Sequence, residues 1–125
     1  MKPKVLIVDD ETSVCRLLSR VAEDLGCEVR LASDGAEAVT LAGEFFPDLV
    51  LMDLHMPGLD GLEALREILE SSPGVRVLVV TGDSADRRVR AALESGAADY
   101  IMKPFTLARM RDAMEQHLLC REFSA

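Results

Sequence analysis

Acidic, hydroxyl and amine side chains stand directly after apolar runs at four places in this sequence. They are Asp9, Asp10, Asp53, Thr81 and Lys103. Three carboxylates gathered in one crevice would repel one another unless a cation compensates them, and Mg²⁺ accepts both carboxylate and phosphate oxygens as ligands. A carboxylate can also act as a nucleophile. With a lysine ammonium and a hydroxyl donor beside it, this set has the groups that phosphoryl transfer requires.

The residue types suggest a role for each member of the set. Asp10 and Asp53 suit direct coordination of Mg²⁺, and Asp9 suits an outer-shell position. Lys103 adds a mobile positive charge and Thr81 adds a hydroxyl donor. Taken singly these residues say little, because a lone Asp at a strand end is usually a turn or helix-capping residue. The hypothesis of a site depends on their falling together at four strand ends.

Five short apolar runs, rich in Val and Ile or flanked by turn residues, predict the strands that position this set. The runs are residues 5–8, 29–31, 49–52, 75–80 and 100–102. Apolar residues at helical spacing follow each run. In chain order, the five predicted helical faces comprise Val14, Leu17, Leu18, Val21 and Leu25; Ala38, Leu41, Ala42 and Phe45; Leu62, Leu65 and Leu69; Val89, Ala92 and Leu93; and Leu107, Met110, Met114 and Leu118.

Capping and turn residues set the limits of these helices. Asp34, followed three residues later by Glu37, has the form of a capping box at the start of the second helix. Asp60 is the predicted N-cap of the third helix, and the last helix is predicted to begin near Thr106. A Gly or Pro follows the first, second and fourth helices as a stop signal.

This alternation predicts an α/β fold: a doubly wound, five-stranded parallel sheet with right-handed crossovers and five helices on its two faces. The nearly continuous apolar character of residues 77–80 agrees with a sheet that is buried on both sides. Functional groups in such sheets gather beyond the carboxyl ends of the strands, where the strand order reverses. The fold would therefore bring the acidic, hydroxyl and lysine residues together.

Length and charge limit the classes of function. The chain has 125 residues, 49% hydrophobic and 29% charged, which fits one domain over residues 1–125. Its 14 Lys and Arg against 22 Asp and Glu leave a net charge of −8, which disfavours direct nucleic-acid binding by this domain. The apolar run at residues 5–8 is too short for a signal peptide or a membrane span. We therefore expect a cytoplasmic protein without membrane contact, with its three cysteines reduced and mostly structural.

Five segments together resemble the receiver domains of two-component response regulators, in that family's order and spacing and over essentially the whole chain. They are residues 5–11 (VLIVDDE), 51–61 (LMDLHMPGLDG), 79–82 (VVTG), 96–100 (GAADY) and 103–105 (KPF). It is this resemblance that implies the strand order 2-1-3-4-5. It also implies a conformational signalling switch that catalyses only its own phosphorylation and dephosphorylation, and not a turnover enzyme.

The resemblance assigns the chemistry to residues at the strand ends. Asp53 would accept a phosphoryl group from a sensor histidine kinase or a histidine phosphotransfer protein. Asp9, Asp10 and Asp53 would hold Mg²⁺, or Mn²⁺ in its place, with help from the backbone carbonyl of His55. The resemblance therefore makes the acidic cluster a metal site as well as the site of phosphorylation.

The resemblance also implies how the phosphorylated state is transmitted. Thr81 and Lys103 would bind phosphoryl oxygens, and the Lys103–Pro104 peptide bond would be cis. The Thr81 hydroxyl would move toward the phosphoryl group and vacate space into which Tyr100 turns. From composition alone, Tyr100 would instead be a half-buried residue with its hydroxyl in water.

The readout surface implied by the family consists of the fourth helix, the fifth strand and the fifth helix. That surface would meet a downstream output domain or target protein, or a second copy of the chain in a phosphorylation-dependent homodimer. The fourth helix carries Arg87, Arg88 and Arg90, which form either a solvated face or a partner-binding patch. His117, late in the last helix, needs no function at a helix terminus.

Two residues give this sequence individual character near the phosphorylation site. His55 lies two residues after Asp53, and Asp83 lies two residues after Thr81. Both positions flank the entrance for hydrolytic water, so we expect them to tune the lifetime of the phosphoryl group. The alternative for His55 is a plain loop histidine.

Three other functions share residues or topology with this prediction. A phosphatase would carry a second Asp two residues after its nucleophile, where this sequence has His55. A flavodoxin-like cofactor binder needs a first loop that cradles phosphate, whereas Asp9, Asp10 and Glu11 would repel an anion. The intact set of acids, hydroxyl and lysine disfavours a docking module without phosphorylation. The sequence leaves open whether the chain is a stand-alone regulator or an N-terminal domain.

Overall fold

The chain folds into alternating strands and helices in the order that the apolar runs predict. The computed structural model describes residues 2–55, 61–82 and 87–124, with side chains to residue 118. Within these residues the elements are β1 Lys4–Val8, α1 Thr12–Asp24, β2 Glu28–Ala32, α2 Gly35–Phe45, β3 Leu49–Asp53, α3 Gly61–Ser71, β4 Arg76–Thr81, α4 Arg87–Glu94, β5 Asp99–Met102 and α5 Leu107–Ser124. All five predicted strands are confirmed, and their ends differ from the prediction by at most one residue.

The strands form one parallel sheet in the order β2-β1-β3-β4-β5. β1 pairs with β2 on one side and with β3 on the other, so the strand order reverses beside β1. Val8 lies opposite Met52 in the register of β1 and β3. The residues that follow them, Asp9 and Asp53, therefore stand side by side at the carboxyl edge. The predicted α/β class, the doubly wound sheet and the strand order are confirmed.

Apolar side chains cover both faces of the sheet in two separate clusters. Successive residues of β1 point to opposite faces: Leu6 and Val8 pack with α2, α3 and α4, whereas Val5 and Ile7 pack with α1 and α5. Every residue of β3 is buried, as expected for a central strand of a parallel sheet. Because helices cover both faces, the carboxyl edge is where functional groups can meet solvent.

Side-chain caps fix two helix starts as the sequence predicts. Asp34 accepts a hydrogen bond from the Glu37 backbone N–H at 2.8 Å, and the Glu37 carboxylate accepts one from the Ser33 N–H at 2.7 Å. The second bond reaches the residue before the N-cap, which is a small departure from the usual capping box. The Thr106 hydroxyl accepts a hydrogen bond from the Arg109 backbone N–H at 3.0 Å and so caps α5. Asp60, the predicted N-cap of α3, lies outside the described residues.

Three leucines assigned to buried helical faces are exposed instead. They are Leu17 in α1, Leu93 in α4 and Leu107 at the start of α5. The prediction was wrong at these positions because helical spacing defines a broad apolar stripe, whereas contact with the sheet buries only its centre. In α4 that centre is Val89 and Ala92, which are both buried.

Cys15 and Cys27 are buried free thiols. Burial raises the pKa of both thiols, and nearby carboxylates raise it further. Both therefore pack as small apolar residues in the cluster between the sheet, α1 and α5.

His117 is a buried polar residue within the last helix and not an exposed helix-end residue. Its side chain is 5% exposed, between Arg76 of β4 and Asp99 of β5. The Arg76 Nε donates to its Nδ1 at 3.4 Å, and its Nε2 lies 3.7 Å from Asp99 Oδ2. Burial lowers the pKa of His117, as does the Arg76 guanidinium, while Asp99 opposes the shift. The neutral imidazole is thus the form that fits this position.

Acidification should therefore destabilise the fold through His117. The folded-state pKa lies below the ordinary value of 6.5, so the unfolded chain takes up this proton first. The contribution of neutral His117 to the free energy of unfolding is complete above pH 6.5. It falls as the pH drops from 6.5 toward the folded-state pKa. Urea denaturation from about pH 7.5 to 5.5 should show a smaller loss of stability in His117→Gln than in wild type. Equal slopes in wild type and His117→Gln would contradict the assignment.

Candidate phosphorylation and metal site

Three carboxylates meet at the carboxyl edge of the central strands. Ligand oxygens of Asp9, Asp10 and Asp53 lie within 4.8 Å of one another. Asp9 is 2% exposed and Asp53 is 4% exposed, whereas Asp10 faces solvent. The register of β1 and β3 produces this meeting, because Asp9 and Asp53 each follow directly on paired residues at the strand ends. The structure thus brings together the acidic residues that the sequence singled out.

The two buried carboxylates are held in the same way. In each, Oδ1 accepts from the backbone N–H two residues on: Glu11 N–H for Asp9 and His55 N–H for Asp53, both at 2.9 Å. Such local side-chain to backbone bonds fix the carboxylate plane. The other oxygen of each carboxylate, Oδ2, points to Lys103.

Lys103 connects the ends of β1 and β3. Its Nζ lies 3.2 Å from Asp9 Oδ2, 3.6 Å from Asp53 Oδ2 and 4.0 Å from Glu11 Oε1. The Lys103 N–H donates to the Thr81 carbonyl at 2.6 Å, and the Lys103–Pro104 peptide bond is cis. One ammonium therefore bridges two buried acids that are distant in sequence.

Burial and charge act against each other at these groups. Burial raises the pKa of Asp53, and the His55 N–H and the Lys103 ammonium offset part of that shift. Burial alone would lower the pKa of Lys103, but the carboxylates of Asp53 and Asp9 outweigh it and raise that pKa. Lys103 thus keeps its proton. Its single positive charge faces three carboxylates, which leaves the cluster with excess negative charge.

Thr81 and Tyr100 lie on the same face of neighbouring strands. Thr81 ends β4 and is fully buried, while Tyr100 in β5 is half-buried against the cluster under α2, α3 and α4. Tyr100 pairs with Val79, and Thr81 pairs with Met102, so the two side chains are diagonal neighbours. The half-buried position of Tyr100 agrees with the expectation from composition. The same position is compatible with a side chain that responds to Thr81.

His55 contacts both the site and the fourth helix. Its backbone N–H donates a hydrogen bond to Asp53 Oδ1. Its exposed imidazole ring lies beside α4, with Nδ1 2.6 Å from a guanidinium nitrogen of Arg88. Arg88 is therefore not part of a simple solvated face, in contrast to the exposed Arg87 and Arg90. No sequence signal distinguished these three arginines. Asp83, the other residue predicted to tune the phosphoryl lifetime, lies outside the described residues.

Gly61, the first residue of α3, also supports the site. A Cβ on Gly61 would lie 2.6 Å from the Asp53 carbonyl oxygen and 2.9 Å from the Leu54 Cα. Both are backbone atoms, so a side chain there would have to move the segment that carries Asp53. In the sequence, Gly61 ends one of the receiver-like segments but shows no sign of this role, because a close approach of two backbones has no pattern in the sequence.

Comparison with known proteins agrees with this geometry. Residues 5–115 match the family model of the response regulator receiver domain. The chain belongs to this family. Receivers act as switches through phosphorylation of an aspartate, generally bind Mg²⁺ at an acidic pocket, and partner with histidine kinases and output domains.

Individual relatives cover most of this receiver. It is 37% identical over 121 residues to the DNA-binding response regulator MtrA of Mycobacterium tuberculosis, covering 94% of this chain and 53% of MtrA. It is 43% identical over 116 residues to the response regulator MprA of Mycobacterium sp. strain KMS, covering 89% of this chain and 50% of MprA. The receiver thus spans about half the length of the curated relatives it matches.

A solved receiver structure matches along the whole chain. The CheY-like receiver domain protein from Methanospirillum hungatei superposes with a TM-score of 0.95 at 28% identity, covering 100% of both chains. In the part of the receiver that the structure describes, no helix combines the length and apolar character needed to cross a membrane.

Replacement of Gly61 by Ala should damage the receiver, because the new methyl group would displace the Asp53–Leu54 backbone. We expect a loss of roughly 1–3 kcal/mol of unfolding free energy, measured by urea denaturation, together with weaker Mg²⁺ binding. The matched control is Gly43→Ala in α2, where a Cβ meets nothing within 4 Å. That change should be neutral or stabilise by about 0.5–1 kcal/mol. Similar effects of the two substitutions would rule out the steric role of Gly61.

Proposed function

We propose that Asp53 is the phosphoryl acceptor of this receiver. The observation that carries the proposal is the position of Asp53, a buried carboxylate with Lys103 Nζ at 3.6 Å and the Asp9 and Asp10 carboxylates within 4.8 Å. Nucleophile, ammonium and acidic cluster thus occupy one crevice. The proposed unit is a single receiver domain over residues 1–125 that modifies only itself and turns over no substrate.

The donor is a phosphohistidine on a sensor histidine kinase or a histidine phosphotransfer protein. An Asp53 carboxylate oxygen forms a bond to phosphorus as the phosphorus–nitrogen bond breaks, and the released imidazole takes up a proton. Lys103 neutralises charge on the phosphoryl oxygens, and the Thr81 hydroxyl donates to one of them. The backbone N–H of His55 holds the acceptor carboxylate in place before the reaction.

Asp9, Asp10 and Asp53 would hold Mg²⁺, or Mn²⁺ as a substitute, together with the His55 backbone carbonyl. The residues fit such an ion, because hard oxygen ligands converge and Lys103 supplies only one positive charge against three carboxylates. When bound, the ion would neutralise charge on the transferring phosphoryl group.

Phosphorylation would be transmitted through Thr81 and Tyr100. The phosphoryl group adds negative charge and acceptor oxygens at Asp53, toward which the Thr81 hydroxyl moves. Thr81 and Tyr100 are diagonal neighbours on β4 and β5, which supports a coupled turn of the Tyr100 ring. The readout surface is then α4, β5 and α5.

That surface would bind a downstream output domain or target, or a second receiver in a phosphorylation-dependent homodimer. The net charge of −8 supports a domain that does not contact nucleic acid directly. MtrA is described as a DNA-binding response regulator, and its DNA binding would then belong to a part of MtrA outside the receiver. We place the protein in the cytoplasm, where histidine kinases present their phosphoryl groups.

Incubation with Mg²⁺ and a small acyl phosphate should add the mass of one phosphoryl group to the intact wild-type protein. Asp53→Asn should gain none, because an amide is a poor nucleophile. The matched control is Asp112→Asn, the same change at an exposed residue of α5, which should gain the wild-type mass. An unmodified wild type, or equal gain in Asp53→Asn, would overturn the assignment.

His55 and Asp83 should set how long the phosphoryl group lasts. We expect His55→Ala to shorten the lifetime roughly three- to tenfold, about 0.7–1.4 kcal/mol of barrier, because the ring no longer shields the site from water. Asp83→Asn should also change the lifetime, since it removes a negative charge two residues after Thr81 in the chain. Both variants should still become phosphorylated. The measurement is the decay of the phosphorylated mass after removal of the donor, and lifetimes equal to wild type in both variants would contradict the proposal.

A further inference from the structure

One arginine of α4 differs from its neighbours. Arg87 and Arg90 are exposed, whereas Arg88 is half-buried and extends to the loop after β3. One of its terminal nitrogens lies 2.6 Å from His55 Nδ1, and the other donates to the Leu54 carbonyl at 3.5 Å. The contacts join residues that are 33 and 34 positions apart in the chain. Arg88 is thus a long-range link from α4 to the phosphorylation site.

The chemistry of the two groups fixes the direction of the shorter bond. A guanidinium has only donors, so the Nδ1 of His55 must accept, and the proton of the neutral imidazole must be on Nε2. The planar fork of Arg88 therefore selects one tautomer and one orientation of the ring. The contact with Leu54 is at the outer limit of hydrogen-bond length and contributes less.

The segment that Arg88 holds is the one on which the site depends. Asp53 is its first residue, and the His55 N–H at its other end holds Asp53 Oδ1 at 2.9 Å. Gly61 packs against the Asp53 carbonyl and Leu54, and Arg88 holds Leu54 and His55. The position of the His55 carbonyl, the proposed backbone ligand of Mg²⁺, therefore depends on where α4 lies.

We propose that Arg88 is a positioning residue of the phosphorylation site. By holding His55 and Leu54, it couples the position of α4 to the geometry of residues 53–55, the loop that would contribute ligands to Mg²⁺. This inference rests on the proposed function, because it concerns the same carboxylates and the same backbone carbonyl. The coupling works in both directions. A change in the loop on phosphorylation releases or tightens the hold on α4, and a partner that moves α4 alters the site.

Electrostatics and positioning predict opposite effects of removing Arg88. An arginine near an acidic cluster repels a divalent cation, so its loss should strengthen Mg²⁺ binding if only charge matters. If Arg88 positions the loop, its loss should weaken binding, because the backbone ligand is no longer held in place. The sign of the change therefore separates the two effects.

The experiment is a Mg²⁺ titration of the full, unphosphorylated chain, followed by the backbone amide signals of the loop in NMR spectra. Arg88→Ala should bind Mg²⁺ about tenfold more weakly than wild type. Arg88→Lys keeps the positive charge and a donor group but loses the planar fork. Its Mg²⁺ affinity should lie between those of wild type and Arg88→Ala. The matched control is Arg90→Ala, which removes the same charge from an exposed position of the same helix and should bind like wild type or slightly more tightly.

A second measurement detects the contact without metal or phosphate. The chain has two histidines, so nitrogen spectra of the imidazoles contain one signal set from His55 and one from the buried His117 as an internal reference. At alkaline pH, where free imidazole is neutral, wild-type His55 should show the Nε2–H tautomer, and Arg88→Ala should show a mixture. His117 should not change.

The outcomes separate this inference from the proposed function. Wild-type affinity in Arg88→Ala, affinity above that of Arg90→Ala, or an unchanged His55 tautomer would overturn the positioning role while leaving the phosphorylation site intact. A wild-type chain that gives no Mg²⁺ response at Asp9, Asp10 and Asp53 would instead overturn the proposed metal site, and the coupling with it. Weaker Mg²⁺ binding together with a mixed tautomer in Arg88→Ala supports the coupling.

Discussion

The pairing of one lysine ammonium with two buried carboxylates is the interaction on which this site depends. Asp9 and Asp53 are almost fully withdrawn from water, and a buried ion without a partner costs several kcal/mol. Lys103 Nζ, at 3.2 and 3.6 Å from these carboxylates, and the two backbone N–H groups that bind their other oxygens make the burial tolerable. The strand order is what allows it, because β1 and β3 are adjacent and Lys103 arrives from β5.

The same interaction would let the cluster respond to phosphorylation of Asp53. Charges interact more strongly in a buried crevice than in water, so new phosphoryl oxygens would compete effectively for the Lys103 ammonium. Lys103 also donates its backbone N–H to the Thr81 carbonyl, and Thr81 is a diagonal neighbour of Tyr100. A rearrangement at Asp53 therefore has a short physical route to β4 and β5.

Sequence patterns predicted the parts of this structure that repeat along the chain. Apolar runs predicted the five strands, and helical spacing predicted the five helices. The location of functional groups at strand ends predicted that Asp9, Asp10 and Asp53 would meet. The patterns did not predict which leucines face water, because periodicity does not specify how a helix is rotated on the sheet. They also gave no indication of the close approach of Gly61 to the Asp53 carbonyl or of the burial of His117 beside Arg76. Such contacts depend on distances between elements, which a single sequence does not contain.

The two cations near Asp53 have different tasks in the proposed function, and their side chains suit those tasks. Lys103 is a compact charge on a flexible stem, so it can bridge Asp9 and Asp53 and then follow a phosphoryl group without losing a fixed geometry. Arg88 has a rigid, planar set of donors, which is suited to holding a ring nitrogen and a carbonyl at the same time. An exchange of the two residue types would leave the net charge unchanged and yet remove both functions. The proposed response of the site would therefore depend on donor geometry as much as on charge.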